Sequence, residues 1–268
     1  MMKVLLTSPS FQDVPGRHRN IVDRKDIIVD VMHGPLTEAS FLPVIAQYDA
    51  LLCGDDDVTA AVLQKGKEGK LKYISKYGVG VDKIDIAKAK ELQIPVTICP
   101  GVNQHAVAEL VFGLLLSFAR NIHLEYEVTK NGGWGKRVGQ EMFGKTMGVI
   151  GFGAIGKEVA KRATAFGMKV LINTAHPDAG DISQMGYTLM TSVAELASKA
   201  DIISLNVPLT PKTEELINEE LINTSLKRGV IIVNVARGKL VNVAAVKKGL
   251  EDKNMEAKIM KLKSDIVQ

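Results

Sequence analysis

Short β-branched and apolar runs alternate with stretches of helical period along most of the chain, the pattern of parallel α/β layering. In the first hundred residues the pattern predicts strands at 4–7, 27–31, 50–53, 73–75 and 95–98, with helical periodicity at 60–64 and 86–92. A second series begins near Gly144. It predicts strands at 147–150, 169–172, 202–205 and 230–235, helices at 154–166, 193–198 and 242–250, and a polar linker before the last strand. Pro100-Gly101 separates the two series, and Asn103 is placed to cap a helix over 104–120. That helix is apolar on most of its faces, so it is expected at a domain interface. The glycine-rich segment from Asn131 to Gly135 breaks the pattern again. The expected fold class is α/β, with two Rossmann-like or flavodoxin-like parallel-sheet domains at 1–101 and 102–268.

Composition narrows the class without changing it. A length of 268 residues suits two domains, and 46% hydrophobic with 24% charged residues excludes a disordered or fibrous chain. The net charge of +4 is too small to point to nucleic acid. Only Cys53 and Cys99 are present, which excludes a disulfide scaffold and a four-cysteine zinc site and fits a reducing cytoplasm. The apolar start turns polar at Thr7 and Ser8, and the longest apolar run, 110–119, contains Gly113 and Ser117. Neither an export signal nor a membrane span is expected.

The clearest chemical signal is Gly151-Phe152-Gly153-Ala154-Ile155-Gly156, which follows a predicted strand, opens a predicted helix and precedes a second strand. In that context G-x-G-x-x-G is a dinucleotide fingerprint. Gly151 permits the tight turn, Gly153 lets backbone approach a pyrophosphate, Gly156 lets helix and strand pack closely, and the helix N-terminus offers amides to phosphate. The acidic residue expected at the end of the second strand is absent; the stretch reads Ile172-Asn173-Thr174-Ala175-His176. Thr174 can hydrogen-bond a ribose, so NAD is expected and NADP stays open. His176 reads as an exposed loop residue.

Five motifs then occur in a characteristic order: Ser75-Lys76-Tyr77-Gly78-Val79-Gly80-Val81-Asp82, Pro100-Gly101-Val102-Asn103 leading to Val107-Ala108-Glu109, the glycine fingerprint, Ala200-Asp201 through Asn206-Val207-Pro208-Leu209-Thr210, and Asn234-Val235-Ala236-Arg237-Gly238. On these motifs the chain resembles, over residues 3 to about 257, the D-isomer-specific 2-hydroxyacid dehydrogenases, within them the phosphoglycerate dehydrogenase branch. The resemblance implies hydride transfer between NAD(P) and a small 2-hydroxy or 2-oxo acid. It implies that the Gly78-Val79-Gly80 loop offers amides to the substrate carboxylate, with Lys76 as a further anion contact or merely surface cover. Arg237 is similar to the family arginine that holds the carboxylate and polarises the carbonyl, a task for a planar, bidentate, permanently charged group. Val107, Asn206, Val207, Pro208, Thr213, Val235 and Ala236 would line the cofactor beside the fingerprint. Asp201 reads as a strand-end residue, and Asn103 and Glu109 as positioning residues. Homodimerisation is the family default.

The resemblance also implies a glutamate about 30 residues after Arg237 and a catalytic histidine about 20 beyond it, whereas the sequence ends at Gln268. None of His18, His33, His105, His123 and His176 matches that position; His105 is a remote stand-in. Residues 258–268 depart from the family pattern, with Lys261 where an aspartate is expected. A frame change or early end near Ala257, an incomplete nucleotide-binding domain and impaired turnover are the expectations, with a non-catalytic dinucleotide-binding or interaction protein, or a truncated product, as alternatives. The segment from Lys258 to Lys263 is expected either as a substitute edge strand or as a frayed or helical tail.

Overall fold

The computed structural model describes residues 1–251 and the backbone of 259–261. Two compact units divide at Val102 and Asn103. The first holds β1 (Met2–Leu6), α1 (Pro9–Asp13), β2 (Ile27–Val31), α2 (Glu38–Phe41), β3 (Ala50–Cys53), α3 (Ala60–Glu68), β4 (Tyr73–Lys76), α4 (Ile86–Glu91) and β5 (Val96–Thr97). Its strands are all parallel in the order β2-β1-β3-β4-β5. Leu5, Leu51 and Ile74 of the sheet pack with Phe41, Val62 and Leu63 of the helices. Chain order reverses between β1 and β3, and the carboxyl ends on either side of such a switch form the crevice where open α/β sheets bind ligands.

The second unit opens with α5 (Gln104–Ala119) and α6 (Ile122–Lys130). β6 (Thr146–Ile150), α7 (Ala154–Ala165), β7 (Lys169–Asn173), α8 (Ala179–Gln184), β8 (Thr188–Leu189), α9 (Val193–Lys199), β9 (Ile202–Leu205), α10 (Glu219–Thr224), β10 (Ile231–Asn234), α11 (Val243–Glu251) and β11 (Ile259–Lys261) follow. The parallel sheet runs β11-β10-β9-β6-β7-β8, which puts the switch between β6 and β9. Both faces are covered, which is why its strands read as continuous apolar runs. On one face Ile150, Ile203, Leu205 and Ile232 meet Leu196, Leu221 and Val246, and on the other Met147, Val149, Ile172 and Val233 meet Val111, Leu115, Val159 and Ala163.

Several expectations change in detail. Asn103 precedes α5, but its side chain makes no capping hydrogen bond, so the helix starts without the predicted cap. α5 buries Ala108, Val111, Phe112, Leu115 and Ala119 and packs on α7 within its own unit. It stops at Ala119 because Asn121 adopts a left-handed backbone, φ 57°, and α6 leaves at 67° to it. No single helix among the described residues is long and apolar enough to cross a membrane. α6, α8 and α10 are short helices that the pattern left in loops, α10 inside the predicted polar linker. Ile259–Lys261 pairs beside β10 as an edge strand, as one of the two tail expectations has it. Residues 252–258 and 262–268, including the expected break near Ala257, lie outside the described residues.

Candidate functional site

The residues singled out in the sequence fall into two groups, one in each unit. In the second unit the group gathers at the carboxyl ends of β6, β9 and β10. Gly151, directly after β6, has φ +92°, and a Cβ there would lie 2.6 Å from the Asn206 carbonyl oxygen. The fingerprint turn is therefore seated on the loop that follows β9. A Cβ on Gly156 would lie 2.0 Å from the Gly151 carbonyl oxygen, so α7 approaches β6 backbone to backbone. Gly153 differs from both. Its φ of −79° suits any residue, and nothing lies within 4 Å of where its Cβ would be. Neither conformation nor internal packing requires glycine here; the open space does, if something is to approach the backbone. At this helix start, before the first intrahelical bond from the Lys157 amide to the Gly153 carbonyl, the leading amides have no partner inside α7. Ala154 is exposed, Ile155 and Phe152 are half-buried, and the Phe152 ring meets Tyr187 edge-on at 5.9 Å. The residues thus fit a dinucleotide diphosphate.

The neighbouring loops are held by their own side chains. Asn206 Nδ2 donates to the Ser204 carbonyl and hydroxyl, each at 3.1 Å. Thr213 Oγ1 accepts from the Thr210 amide at 2.8 Å and donates to the Pro208 carbonyl at 2.7 Å, so it staples the turn after Val207. Asn234, 2% exposed, is a residue that the motif reading quoted without a role. Its Oδ1 accepts from the Ala236 amide at 3.1 Å and its Nδ2 donates to the Arg237 carbonyl at 2.8 Å, which pins Val235-Ala236-Arg237 to the end of β10. Arg237 is half-buried and donates to the Ala236 carbonyl. Thr174, one residue past β7, is half-buried, and His176 is exposed. Val107 lies half-buried on α5.

Asp201 takes the strand-end role expected of it. It accepts from the Thr146 amide at 2.9 Å and pairs with Lys227 at 2.5 Å. Partial burial draws its carboxyl upward, but the lysine and the amide prevail and hold it below the usual carboxylate range. His105 pairs with Glu158 at 3.1 Å, and Arg162 contacts both Glu158 and Glu109. These contacts link α5 to α7.

The first-unit group sits at the carboxyl ends of β3 and β4. Gly78 has φ +148°, its amide donates to the Lys76 carbonyl, and its own carbonyl accepts from Cys99 N, both at 2.9 Å. Val79 is exposed, and Gly80 half-buried. Lys76 is the anion contact or surface cover of the sequence reading, and the structure removes the second of these. It is 2% exposed, so it covers no surface, and its ammonium donates to the Gly54 carbonyl and to Asp55 Oδ1 at 2.7 Å. The partner lies in the loop after β3, 21 residues earlier, which no local pattern signals. Asp56 is fully buried and accepts from Thr7 Oγ1 at 2.8 Å, the Leu36 amide at 2.6 Å and the Gly54 amide at 2.7 Å. Cys53 is buried beside it, and burial pushes its thiol up to about 12, which leaves it an inert apolar group.

Residues 112–260 match the model of the NAD binding domain of D-isomer specific 2-hydroxyacid dehydrogenases. The chain is 38% identical over 260 residues to the D-3-phosphoglycerate dehydrogenase of Methanocaldococcus jannaschii, covering 96% of this chain and 48% of that protein. It is 40% identical over 229 residues to the hydroxypyruvate reductase of Thermotoga maritima, covering 84% of this chain and 72% of the relative. The chain thus spans about half the length of the first relative. The solved structure of the TT0316 protein of Thermus thermophilus superposes with a TM-score of 0.84 at 33% identity, covering all of this chain and 84% of that one.

Proposed function

The chain belongs to the D-isomer specific 2-hydroxyacid dehydrogenase family, and from that premise we propose that its two groups of residues serve hydride transfer between NAD and a small 2-hydroxy or 2-oxo acid. The observation that carries the reading is Gly153, a glycine that the protein's own backbone and packing do not need. Gly151, Phe152, Gly153, Ala154, Ile155 and Gly156 would hold the diphosphate at the start of α7. Thr174 would meet the ribose, and Val107, the Asn206-Val207-Pro208 loop with its Thr213 staple, Val235 and Ala236 would line the rest. When bound, the nicotinamide supplies or accepts the hydride. Of the Gly78-Val79-Gly80 loop, the amides of Val79 and Gly80 would hold the acid's carboxylate, the Gly78 amide being given to the Lys76 carbonyl, and Arg237 would hold the carboxylate and polarise the 2-oxo group, where a fixed cation stabilises the charge that develops on oxygen. Relatives named for a phosphorylated and for an unphosphorylated acid leave both kinds of substrate in play.

Calorimetric titration with NADH tests the cofactor half. Gly153→Val should fold and melt like the parent, yet bind NADH at least about tenfold more weakly, because the side chain fills space that the diphosphate needs. Unchanged NADH affinity in that variant would overturn the assignment. Saturable binding without turnover of glyoxylate, pyruvate, hydroxypyruvate or phosphohydroxypyruvate would leave a dinucleotide-binding protein and remove the enzyme. The segment from Tyr126 to Phe143 also exposes four large apolar side chains, Trp134 (97%), Val138 (94%), Phe143 (78%) and Tyr126 (61%), which supports self-association. Light scattering should give a homodimer mass that falls to the monomer in Trp134→Glu.

A further inference from the structure

On the reading that the fingerprint turn holds the diphosphate of a dinucleotide, the ribose beside it falls to the end of β7. Register pairing sets Asn173 opposite Ile150, and the Asn173 carbonyl accepts from the Gly151 amide at 2.8 Å, so the last residue of β7 is tied to that turn. Side chains alternate between the two faces along a strand. Leu171 lies in the core with Leu196 of α9, whereas Val170 and Ile172 lie in the core with Val159 and Ala163 of α7. Asn173 takes the α9 side, where its Nδ2 donates to the Met190 carbonyl at 3.1 Å. Thr174, the next residue in that alternation, falls to the side of α7 and is half-buried.

Folds of this kind place an acid at this strand end, which accepts from the ribose 2′-hydroxyl and repels a 2′-phosphate. Residues 169–177 contain no acid. The Thr174 hydroxyl donates and accepts without carrying charge, so one group serves a 2′-hydroxyl and a 2′-phosphate alike. Asp178, the first acid beyond, is turned to the start of α8, where it accepts from the Asp181 amide at 3.1 Å. On α7, Glu158 is paired with Arg162 and His105, and Lys157 holds its ammonium 5.6 Å from the centre of the Phe152 ring. His176 is exposed two residues past Thr174. We propose that the ribose seat admits the 2′-phosphorylated dinucleotide, NADP, as well as NAD, and that Thr174 is the residue that removes the discrimination between them.

The test titrates the full chain with NADH and, separately, with NADPH, each followed by its own fluorescence at low and at high salt. NADPH is expected to bind within about fivefold of NADH or more tightly, and Thr174→Asp to move the ratio of the two affinities at least about tenfold toward NADH, a shift that salt reduces. Thr174→Asn keeps a neutral donor and acceptor, and should leave the ratio within about threefold of the parent's. NADPH binding weaker than that of NADH by more than about fivefold in the parent overturns the proposal. A parent-like ratio in a folded Thr174→Asp overturns the assignment to Thr174. The parent comparison needs no variant to fold. If neither nucleotide binds, the dinucleotide reading falls and takes the ribose seat with it; if NADH alone binds, only the ribose assignment falls.

Discussion

Three glycines of one hexapeptide have three different surroundings, and substitution at each should fail differently. Gly156 is a packing glycine: alanine there would drive its Cβ into the Gly151 carbonyl, 2.0 Å away, so α7 must move off β6. Gly156→Ala should therefore lose roughly 1–3 kcal/mol of stability, as overpacking does, and bind NADH more weakly because the turn shifts with the helix. Urea melts and NADH titration on the same preparation check both effects. Gly153→Val makes the contrast, since it should lose affinity with its melting point unchanged. All three positions were legible as glycines with a purpose in the sequence. The turn at Gly151 and the close packing at Gly156 follow the motif, while what supports the proposal for Gly153, open space with an ordinary φ, exists only in three dimensions.

At the scale of the element, α9 shows how a short helix is held at its start. Ser192 Oγ accepts from the Glu195 amide at 3.1 Å, and the Glu195 carboxylate accepts from the Thr191 amide at 3.0 Å and hydroxyl at 2.8 Å, a reciprocal cap. Lys199, one turn on, adds a bond at 2.9 Å. Lys199 first, then the Thr191 amide and hydroxyl, hold the Glu195 carboxyl at about 2. Because that value lies below its ordinary one, the ionised form favours the folded state. The contribution is complete above the usual glutamate range and is lost as the pH falls toward 2. Glu195→Gln should flatten the acid limb of the stability curve between roughly pH 4.5 and 2, with little change in its shape above about pH 6; denaturant melts across that range would show it. A parent and variant with parallel acid limbs would contradict the cap. The sequence reading placed this helix at 193–198 from its apolar period, close to the observed Val193–Lys199. α6 and α10 escaped it, because short polar helices carry too few apolar positions for a period to emerge.

At the scale of the molecule, each unit has its own parallel sheet, core and switch point. Cofactor and acid should therefore leave separate footprints. Hydrogen exchange should slow on adding NADH within 151–157 and 206–210, while the segment around Gly78 to Gly80 should slow only when an acid is added as well. Protection of both segments by NADH alone would contradict that division of labour.

The sequence by itself determined the alternation of strands and helices, the place of the fingerprint between β6 and α7, the motif order of the family and the strand-end role of Asp201. These are local or ordered patterns, and backbone periodicity and glycine chemistry write them into neighbouring residues. Only the tertiary structure decided that Lys76 is buried against Asp55, that Asp56 clamps the loop beside it, that Asn103 leaves its helix uncapped and that Asn234 pins the segment before Arg237. Lys76 shows the physical reason most clearly. A lysine is read as a surface cation until a parallel ladder brings the loop after a neighbouring strand, with its carboxylate, to 2.7 Å of it, and charge pairing of that kind depends on which strands adjoin, not on which residues adjoin in the chain.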